Sequence, residues 1–391
     1  MDEGDAVPEN PAQAAVWACG PITVLDGREC VRKRPGMYIG DALDGSGLHN
    51  LAWEVIENAV EEHLAGRCLR MAVTIHRGGA LTVEDEGPGI SLVPVGPPER
   101  QTPGLEEIMT RLGCSPPRWQ ARWGGGLHSV GLAAVNALCE ILVVEVRRGG
   151  RTHRQSYRRG LAEGPIACVG PALGTGTRFT LHPDPEIFAS TVFDGGKVAE
   201  LLRKVAFLNP GFRIDFADER RGGRRETFLT RGIGEWVERL TEGQSAIGGE
   251  PIRLREVRDG VEIDIALAWT RTRGTRVLGF ANQHETRGAH VVGLLRGLAQ
   301  AVKRTMRQTP GGDTDLRARN QRWDPAQLMR GLTAIVDVRG SGLKLGGCCR
   351  DILEGPAVRA TVQGFVAEKM GELLAARPSL LFELGALATS R

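Results

Sequence analysis

The stretch GLHNLAWEVIENAVEEHL, residues 47–64, decides how the chain is read. Leu48, Leu51, Val55, Ile56, Ala59 and Val60 recur at three- and four-residue steps, which predicts an amphipathic helix with one apolar stripe. A second set runs at strict four-residue steps: Asn50, Glu54, Asn58 and Glu62. At 1.5 Å per residue this polar column extends about 18 Å along the helix. It is either a solvated face or a row of oxygen and amide ligands turned into a pocket. The helix alone does not choose.

Outward from this helix lies a hairpin, MAVTIH (71–76) and ALTVED (80–85), with its turn at Arg77–Gly79. It ends in Asp85-Glu86-Gly87-Pro88-Gly89-Ile90. A strand-end carboxylate followed by glycines either makes a turn or accepts a hydrogen bond from an exocyclic amine such as adenine's. Farther on, Gly124-Gly125-Gly126-Leu127-His128-Ser129-Val130-Gly131 leads into an apolar segment reaching Leu138. This is either a plain loop or a phosphate cradle, since free N–H groups at a helix start favour anions. No Lys-bearing Walker loop is present.

The remaining pattern predicts a loop over 91–104, a short helix over 105–112, a loop over 113–126 and a helix over 127–138. Strands follow at EILVVEVR, THRQSYR, TRFTLH (177–182) and RIDFAD (213–218). Arg220, Arg221, Arg224 and Arg225 read as a solvated hairpin tip before ETFLT. Past a boundary near residue 230 come helix GIGEWVERL, strands VEIDIALAWT and TRVLGFANQ, a helix over 289–306, strand LTAIVDVRG and a last helix over 356–376. The mixture of strands and helices implies an α/β or α+β second domain.

Composition excludes several classes. The chain has 391 residues and a formal charge of +3, so no strongly acidic partner is demanded. Of 50 cations only six are Lys. Gly is 53 of 391, about twice the ~7% norm, so a single Gly or Arg carries little meaning by itself. The eight cysteines form no C-x-x-C pair, which argues against zinc and for a reducing compartment. No run of 18 apolar residues occurs and the N-terminus is acidic, so the expectation is a cytoplasmic protein without a membrane span.

Taken in order, ITVLDGRECVRKRPGMYIGD (22–41), the helix at 47–66, VTIHRGGALTVEDEGPGI (73–90), GGGLHSVGLAAVNALCEILVV (124–144) and LGTGTRF (173–179) resemble the ATPase region of gyrase B-type topoisomerases, in the GHKL superfamily. The resemblance is close over 22–180 and continues more thinly over about 200–376. It implies an α+β chain: an arm at 1–21, a GHKL (Bergerat) ATP-binding α/β sandwich at 22–230, and a ribosomal-S5-like transducer at 231–391. It implies ATP and Mg²⁺ as cofactors, homodimerisation on ATP, and gating of DNA passage. DNA, a gyrase A-type cleavage subunit and a separate TOPRIM-bearing chain are the implied partners; no TOPRIM segment follows residue 391, so DNA cleavage is not expected from this chain alone. The alternative reading is a catalytically impaired dimerisation module that regulates or competes with a full-length gyrase B protein.

By the same resemblance Glu54 is the general base that activates water, a role suited to a carboxylate within reach of that water. Asn58 is the Mg²⁺ ligand, its amide oxygen suiting a hard octahedral ion. Asp85 reads adenine, Gly87, Gly89 and Ile90 wall the base, Thr175 assists through water, and Met109 and Glu62 belong to the same pocket. Arg148 lies outside the adenine. Gly125, Gly126, Leu127, His128, Val130 and Gly131 form a lid over the phosphates. Tyr38, with Ile22 and Trp17, reaches the partner subunit's nucleotide.

The chain departs from the pattern at five places. Asn50 stands where a His orients the base; its amide still offers a hydrogen bond to Glu54. Pro88 replaces an Arg, which removes the expected partner of Glu62. The lid is short and lacks Gly-Gly-Lys, leaving Arg118 and Arg122. Cys348-Cys349-Arg350 replaces Gln-Thr-Lys, so Arg350 and Lys344 are the candidates for sensing the γ-phosphate. Arg287-Gly288-Ala289-His290 replaces Gly-Gly-Thr-His. Lys303, Arg304 and Arg307 either are solvated or line a DNA cavity.

Overall fold

The computed structural model describes residues 26–95, 101–112, 131–220, 222–272, 274–309, 323–346 and 351–389. The expectations for Trp17, Ile22, Arg118, Arg122, Gly125, Gly126, Leu127, His128, Val130, Arg221 and Cys348–Arg350 fall outside those residues.

The first half of the chain is a helical layer on one face of a sheet. The helices are α1 (Gly27–Lys33), α2 (Gly36–Ile39), α3 (Ser46–Leu64), α4 (Gly104–Thr110), α5 (Gly131–Leu138) and α6 (Gly195–Leu208). The strands are β1 (Arg70–Ile75), β2 (Leu81–Asp85), β3 (Cys139–Arg148), β4 (Arg151–Arg158), β5 (Leu161–Ala162), β6 (Ala167–Pro171), β7 (Gly176–Pro183), β8 (Arg213–Asp218) and β9 (Arg224–Phe228). They are ordered β5-β4-β3-β7-β2-β1-β8-β9, with β6 on β4. Only β1 with β8 is parallel among these pairs. In the β1–β2 hairpin Met71 faces Asp85, Val73 faces Val83 and Ile75 faces Leu81. Period-two alternation sends Met71, Val73 and Ile75 inward, where they join Leu51, Val55, Ile56 and Val60 of α3 in one core. The opposite face is polar. Glu84 binds Arg147 and Arg178, and Arg178 continues to Glu145 at 3.3 Å.

The chain passes to its second sheet between Phe228 and Ile233. Helix α7 (Ile233–Leu240) is followed by β10 (Ala246–Arg258), β11 (Val261–Thr270), β12 (Arg276–Ala281) and β13 (His284–Glu285). After β14 (Arg287–Gly288) come α8 (Ala289–Gln308), α9 (Pro325–Leu328), β15 (Leu332–Arg339), β16 (Lys344–Gly346), β17 (Ile352–Glu354), α10 (Pro356–Ala376) and α11 (Pro378–Thr389). The large sheet runs β10-β11-β15-β12-β13; β14, β17 and β16 form a small one. Both faces of the large sheet are covered. Ile263, Ile265, Leu267, Ala334 and Val336 pack under α8 and α10, while Ala266, Ala268, Phe280 and Ile335 pack against α7 and against Phe207 and Leu208 of α6. That double burial is why β15 is buried almost throughout and its apolar residues do not alternate.

The longest elements outside the sequence expectation are α6, β10 and α11; the short α1, α2, α9, β5, β6, β14, β16 and β17 also lie outside it. Pro251 and the pair Gly248-Gly249 interrupt the strand signal of β10, and α11 opens at Pro378, one residue after α10's cap. Arg220 is not a solvated tip residue. It pairs with Asp218 at 2.9 Å and donates to the Phe193 carbonyl at 2.8 Å. Among the described residues no helix is long and apolar enough to cross a membrane.

Helices α8 and α10 approach closely because α8 presents Gly293 and Gly297. A Cβ at Gly297 would stand 2.7 Å from Val366 Cβ and 2.8 Å from the Gln363 carbonyl. The facing helix carries a contrasting glycine, Gly364, with nothing within 4 Å of a Cβ. Gly297→Val is therefore expected to destabilise the chain by about 1–3 kcal/mol through overpacking. Gly364→Ala is expected to stabilise it by about 0.5–1 kcal/mol through helix propensity. Denaturant unfolding of both variants checks the pair, and equal effects would contradict the packing.

Candidate functional site

Helix α3 fixes the site because its two faces have different obligations. Leu48, Leu51, Ala52, Val55, Ile56, Ala59 and Val60 are buried against the sheet. The polar column is thereby aimed away from the core, along a flank bounded by the β2 strand end and the start of α5. From Glu54 to Glu62 is eight residues, about 12 Å of helix. That length suits an extended nucleoside triphosphate.

At the column's first end, Asn50 donates to the Ile39 carbonyl at 2.8 Å. No hydrogen bond joins it to Glu54 among the described residues, so the expected orienting contact is replaced by one that pins the α2–α3 connection. His49 is also structural. Its Nδ1 lies 2.8 Å from the Gly45 carbonyl, and its Nε2 accepts the Asp194 N–H at 3.1 Å, which ties α3 to the cap of α6.

Glu54 is half-buried and has no hydrogen-bond or ion-pair partner among the described residues. Burial, followed by the charges of Glu57 and Glu61, pushes its carboxyl up to about 8. Its Oε2 lies against Gly131, where any Cβ would collide with it. The first residue of α5 is thus a glycine because the carboxylate occupies the space beside it.

Asn58 is 4% exposed, and its Nδ2 has no hydrogen-bond partner among the described residues. A buried amide N–H₂ without an acceptor is costly unless the site has a use for it, and the carboxamide oxygen is not among the buried unpaired atoms. Asn58 and Glu54, one helical turn apart, form an oxygen-bearing pair at i and i+4. This donor set fits Mg²⁺ bound mainly through phosphates and waters, with few protein ligands.

Glu62 lies at the column's far end. With Arg absent at Pro88, Glu62 pairs instead with Arg67, five residues on, at 2.7 Å. Its Cγ is 3.3 Å from where a Gly87 Cβ would stand, which brings the column to the Asp85 turn. Asp85 is 3% exposed. Burial pushes its carboxyl up to about 6, against the pull of hydrogen bonds from the Gly87 and Thr177 backbones. The Gly87 N–H donates to Oδ1 at 2.7 Å. Gly89 has φ +75° and would place a Cβ 2.8 Å from the Arg147 carbonyl, so only glycine fits there. Ile90 is buried and its N–H donates to Thr177 Oγ1 at 3.2 Å.

Thr175 is exposed, whereas Thr177 is buried beside Asp85 and Ile90. Alternation along β7 would have found it, because Thr177 is in phase with the buried Phe179 and Leu181. Two further residues escaped the sequence reading. Arg147 donates to the Asp85 carbonyl at 3.1 Å, and Arg67 holds Glu62. Arg148 donates to the Pro88 and Gly89 carbonyls at 3.2 and 2.7 Å. Met109 is buried and its carbonyl accepts from Asn136 Nδ2 at 2.8 Å. Tyr38 packs partly against the core of its own chain. Lys344 is exposed on β16, opposite Glu354. Arg287 pairs with Asp351 at 2.7 Å, and His290 is fully buried, its ring pushed down to about 4 by burial.

Comparison with known proteins gives a consistent picture. A family model described as "Histidine kinase-, DNA gyrase B-, and HSP90-like ATPase" matches residues 43–187, and one described as "DNA gyrase B" matches residues 232–388. The chain is 40% identical to the B-type subunit of the type 2 topoisomerase of Aquifex aeolicus, over 72% of this chain and 36% of that protein. It is 34% identical to the DNA gyrase B protein of Myxococcus xanthus, over 96% of this chain and 45% of that protein. The chain therefore spans about half or less of these relatives. The solved 43K ATPase domain of Thermus thermophilus gyrase B, in complex with an aminocoumarin, superposes with a TM-score of 0.78 at 32% identity, covering 93% of this chain and 94% of that one.

The Gly131 contact yields a direct test of the geometry. In Gly131→Ala the added methyl meets the far end of a flexible side chain, so Glu54 yields and the fold does not. The expected result is a displaced carboxylate, with nucleotide turnover reduced roughly a hundredfold, the scale of a misplaced reacting group. Melting should be nearly unchanged. Parent-like turnover would show that Glu54 does not act from its observed position.

Proposed function

The chain belongs to the DNA gyrase B family of GHKL ATPases, and on that premise we propose that it binds ATP with Mg²⁺ along α3 and hydrolyses it. The observation that carries this reading is the placement of Glu54, Asn58 and Asp85 along one flank, with Asp85 at the far end of the column. Asp85 accepts a hydrogen bond from the exocyclic amine of adenine. The glycines at 87 and 89 let the base approach the backbone, and Thr177 keeps the Asp85–Ile90 turn in register. Arg148 closes the outer edge of the turn. Asn58 offers its carboxamide oxygen to Mg²⁺, which when bound would offset the charge of the phosphates. Glu54 takes the proton of the attacking water. Lys344 or Arg350 completes the phosphate end.

The larger reading rests on the family. ATP closes a homodimer of this chain as a gate for DNA passage, in the cytoplasm, beside subunits that carry the cleavage chemistry. A second reading, nucleotide binding without appreciable turnover, has one observation in its favour: Asn50 is committed to Ile39 and does not orient Glu54.

Two measurements separate these readings. Glu54→Gln should lower kcat by about 10²–10⁴-fold, the usual share of a general base, while ATP binding by calorimetry persists. If that variant turns over at the parent rate, Glu54 is not the base; if the parent binds ATP but never turns it over, the second reading stands. The pH dependence has a definite sign. A base works ionised, and with its carboxyl at about 8 Glu54 is mostly protonated at neutrality. Since kcat/KM reports the free chain, it is expected to rise with pH through about 8 and then level off. A profile already flat at neutral pH would contradict the assignment.

A further inference from the structure

One of the contacts that join the two domains falls beside the candidate base. Strands β12 and β13 are linked by Asn282 and Gln283, whose φ values are +46° and +76°. Two consecutive positive φ values make a tight hairpin turn that glycine and asparagine prefer. Gln283 is neither, so its surroundings must hold it there. The holding groups are visible. Asn282 Nδ2 donates to the Gly340 carbonyl at 3.0 Å, and the Gly340 N–H returns to Asn282 Oδ1 at 2.9 Å, which locks the turn to the end of β15. The next three residues reach the first domain. The Gln283 carboxamide pairs with that of Asn209 at 2.8 Å, and Glu285 pairs with Lys204 of α6 at 3.0 Å. Between them, His284 Nε2 lies 3.3 Å from Glu57 Oε1, and its ring meets Trp53 edge-on at 5.7 Å. Trp53 immediately precedes Glu54, and Glu57 lies three residues beyond it.

We propose that His284 is a positioning residue for Glu54: by standing against Trp53 and Glu57, which share the helix face next to the base, the turn of the second domain sets where the α3 carboxylate stands. The inference rests on reading Glu54 as the base. Hydrolysis then depends on how the second domain sits, and β15, whose end is hydrogen-bonded to the same turn, leads on to Lys344. The charged groups around the contact are Glu54 and Glu61 on α3, Lys204 on α6, Glu285 on β13, and Arg339 on β15, which reaches Gln283. Glu57 also bears on Glu54 directly, because its negative charge is among the causes that raise the base.

The test is steady-state ATPase kinetics of the full chain. His284→Ala is expected to lower kcat roughly tenfold while KM for ATP stays within about twofold, the mark of a misplaced reacting group and not of lost binding. His284→Gln, which keeps a polar group of similar reach beside Glu57 and Trp53, should restore most of kcat. Lys204→Ala loosens the same domain contact without touching Glu57, and should leave kcat near the parent value. Unchanged kcat in His284→Ala, no rescue by Gln, or an equal loss in Lys204→Ala would overturn the proposal. In a chain without measurable turnover, carbodiimide labelling of Glu54, which consumes the protonated carboxyl, is the readout. Removal of His284 should change the labelling rate severalfold, and an unchanged rate would overturn the proposal. A Glu54→Gln protein that still turns over removes the base reading itself. An inactive Glu54→Gln beside an unaffected His284→Ala removes only this inference.

Discussion

Helix α3 has to bury an apolar stripe and present a polar column at once, and the rest of the site follows from that constraint. Burial of Leu51, Val55, Ile56 and Val60 leaves the helix no freedom to rotate about its axis. A rotation by one residue, about 100°, would expose the stripe and drive Glu54 and Asn58 into the sheet. The column's direction is therefore fixed by hydrophobic burial, not by the polar residues themselves. The polar residues then meet whatever lies along that direction: Gly131 beside Glu54, and the Asp85 turn beside Glu62.

The same packing makes the site electrostatically unfavourable when empty of counter-charge. Glu54 and Asp85 are carboxylates shielded from water, and three further acids, Glu57, Glu61 and Glu62, share the helix. Burial is the largest cause of the upward push on both Glu54 and Asp85. Asp85 is partly compensated by backbone N–H donors, and Glu62 by Arg67. Glu54 has no such compensation among the described residues. An uncompensated acid beside an orphaned carboxamide destabilises the free chain and favours whatever brings positive charge and hydrogen-bond acceptors to that flank.

The two domains are tied to the same helical layer. The second sheet is buried on both faces, and one of those faces is completed by Phe207 and Leu208 from α6 of the first domain. Arg339 donates to the Leu208 carbonyl at 2.6 Å. Apolar packing and the β12–β13 turn therefore act together on α6 and α3, so a shift of the second domain is felt at the column.

Much of this was legible in the sequence. The apolar stripe of α3, the four-residue spacing of its polar column, the Asp85 turn and the helix that reaches Leu138 all depend on local periodicity, and local periodicity is written residue by residue. The ordered motifs likewise identified the family. What the sequence alone could not decide was which side chains meet. Asn50 bonds to Ile39 and not to Glu54, Arg67 substitutes for the residue lost at Pro88, Thr177 and not Thr175 stands by Asp85, and His284 arrives beside Glu57 from a distant part of the chain. Each of these is a contact between segments whose approach is set by packing of the whole sheet and helix layer. The chemistry of a residue is carried by its own side chain, but its partner is chosen only when the core has closed.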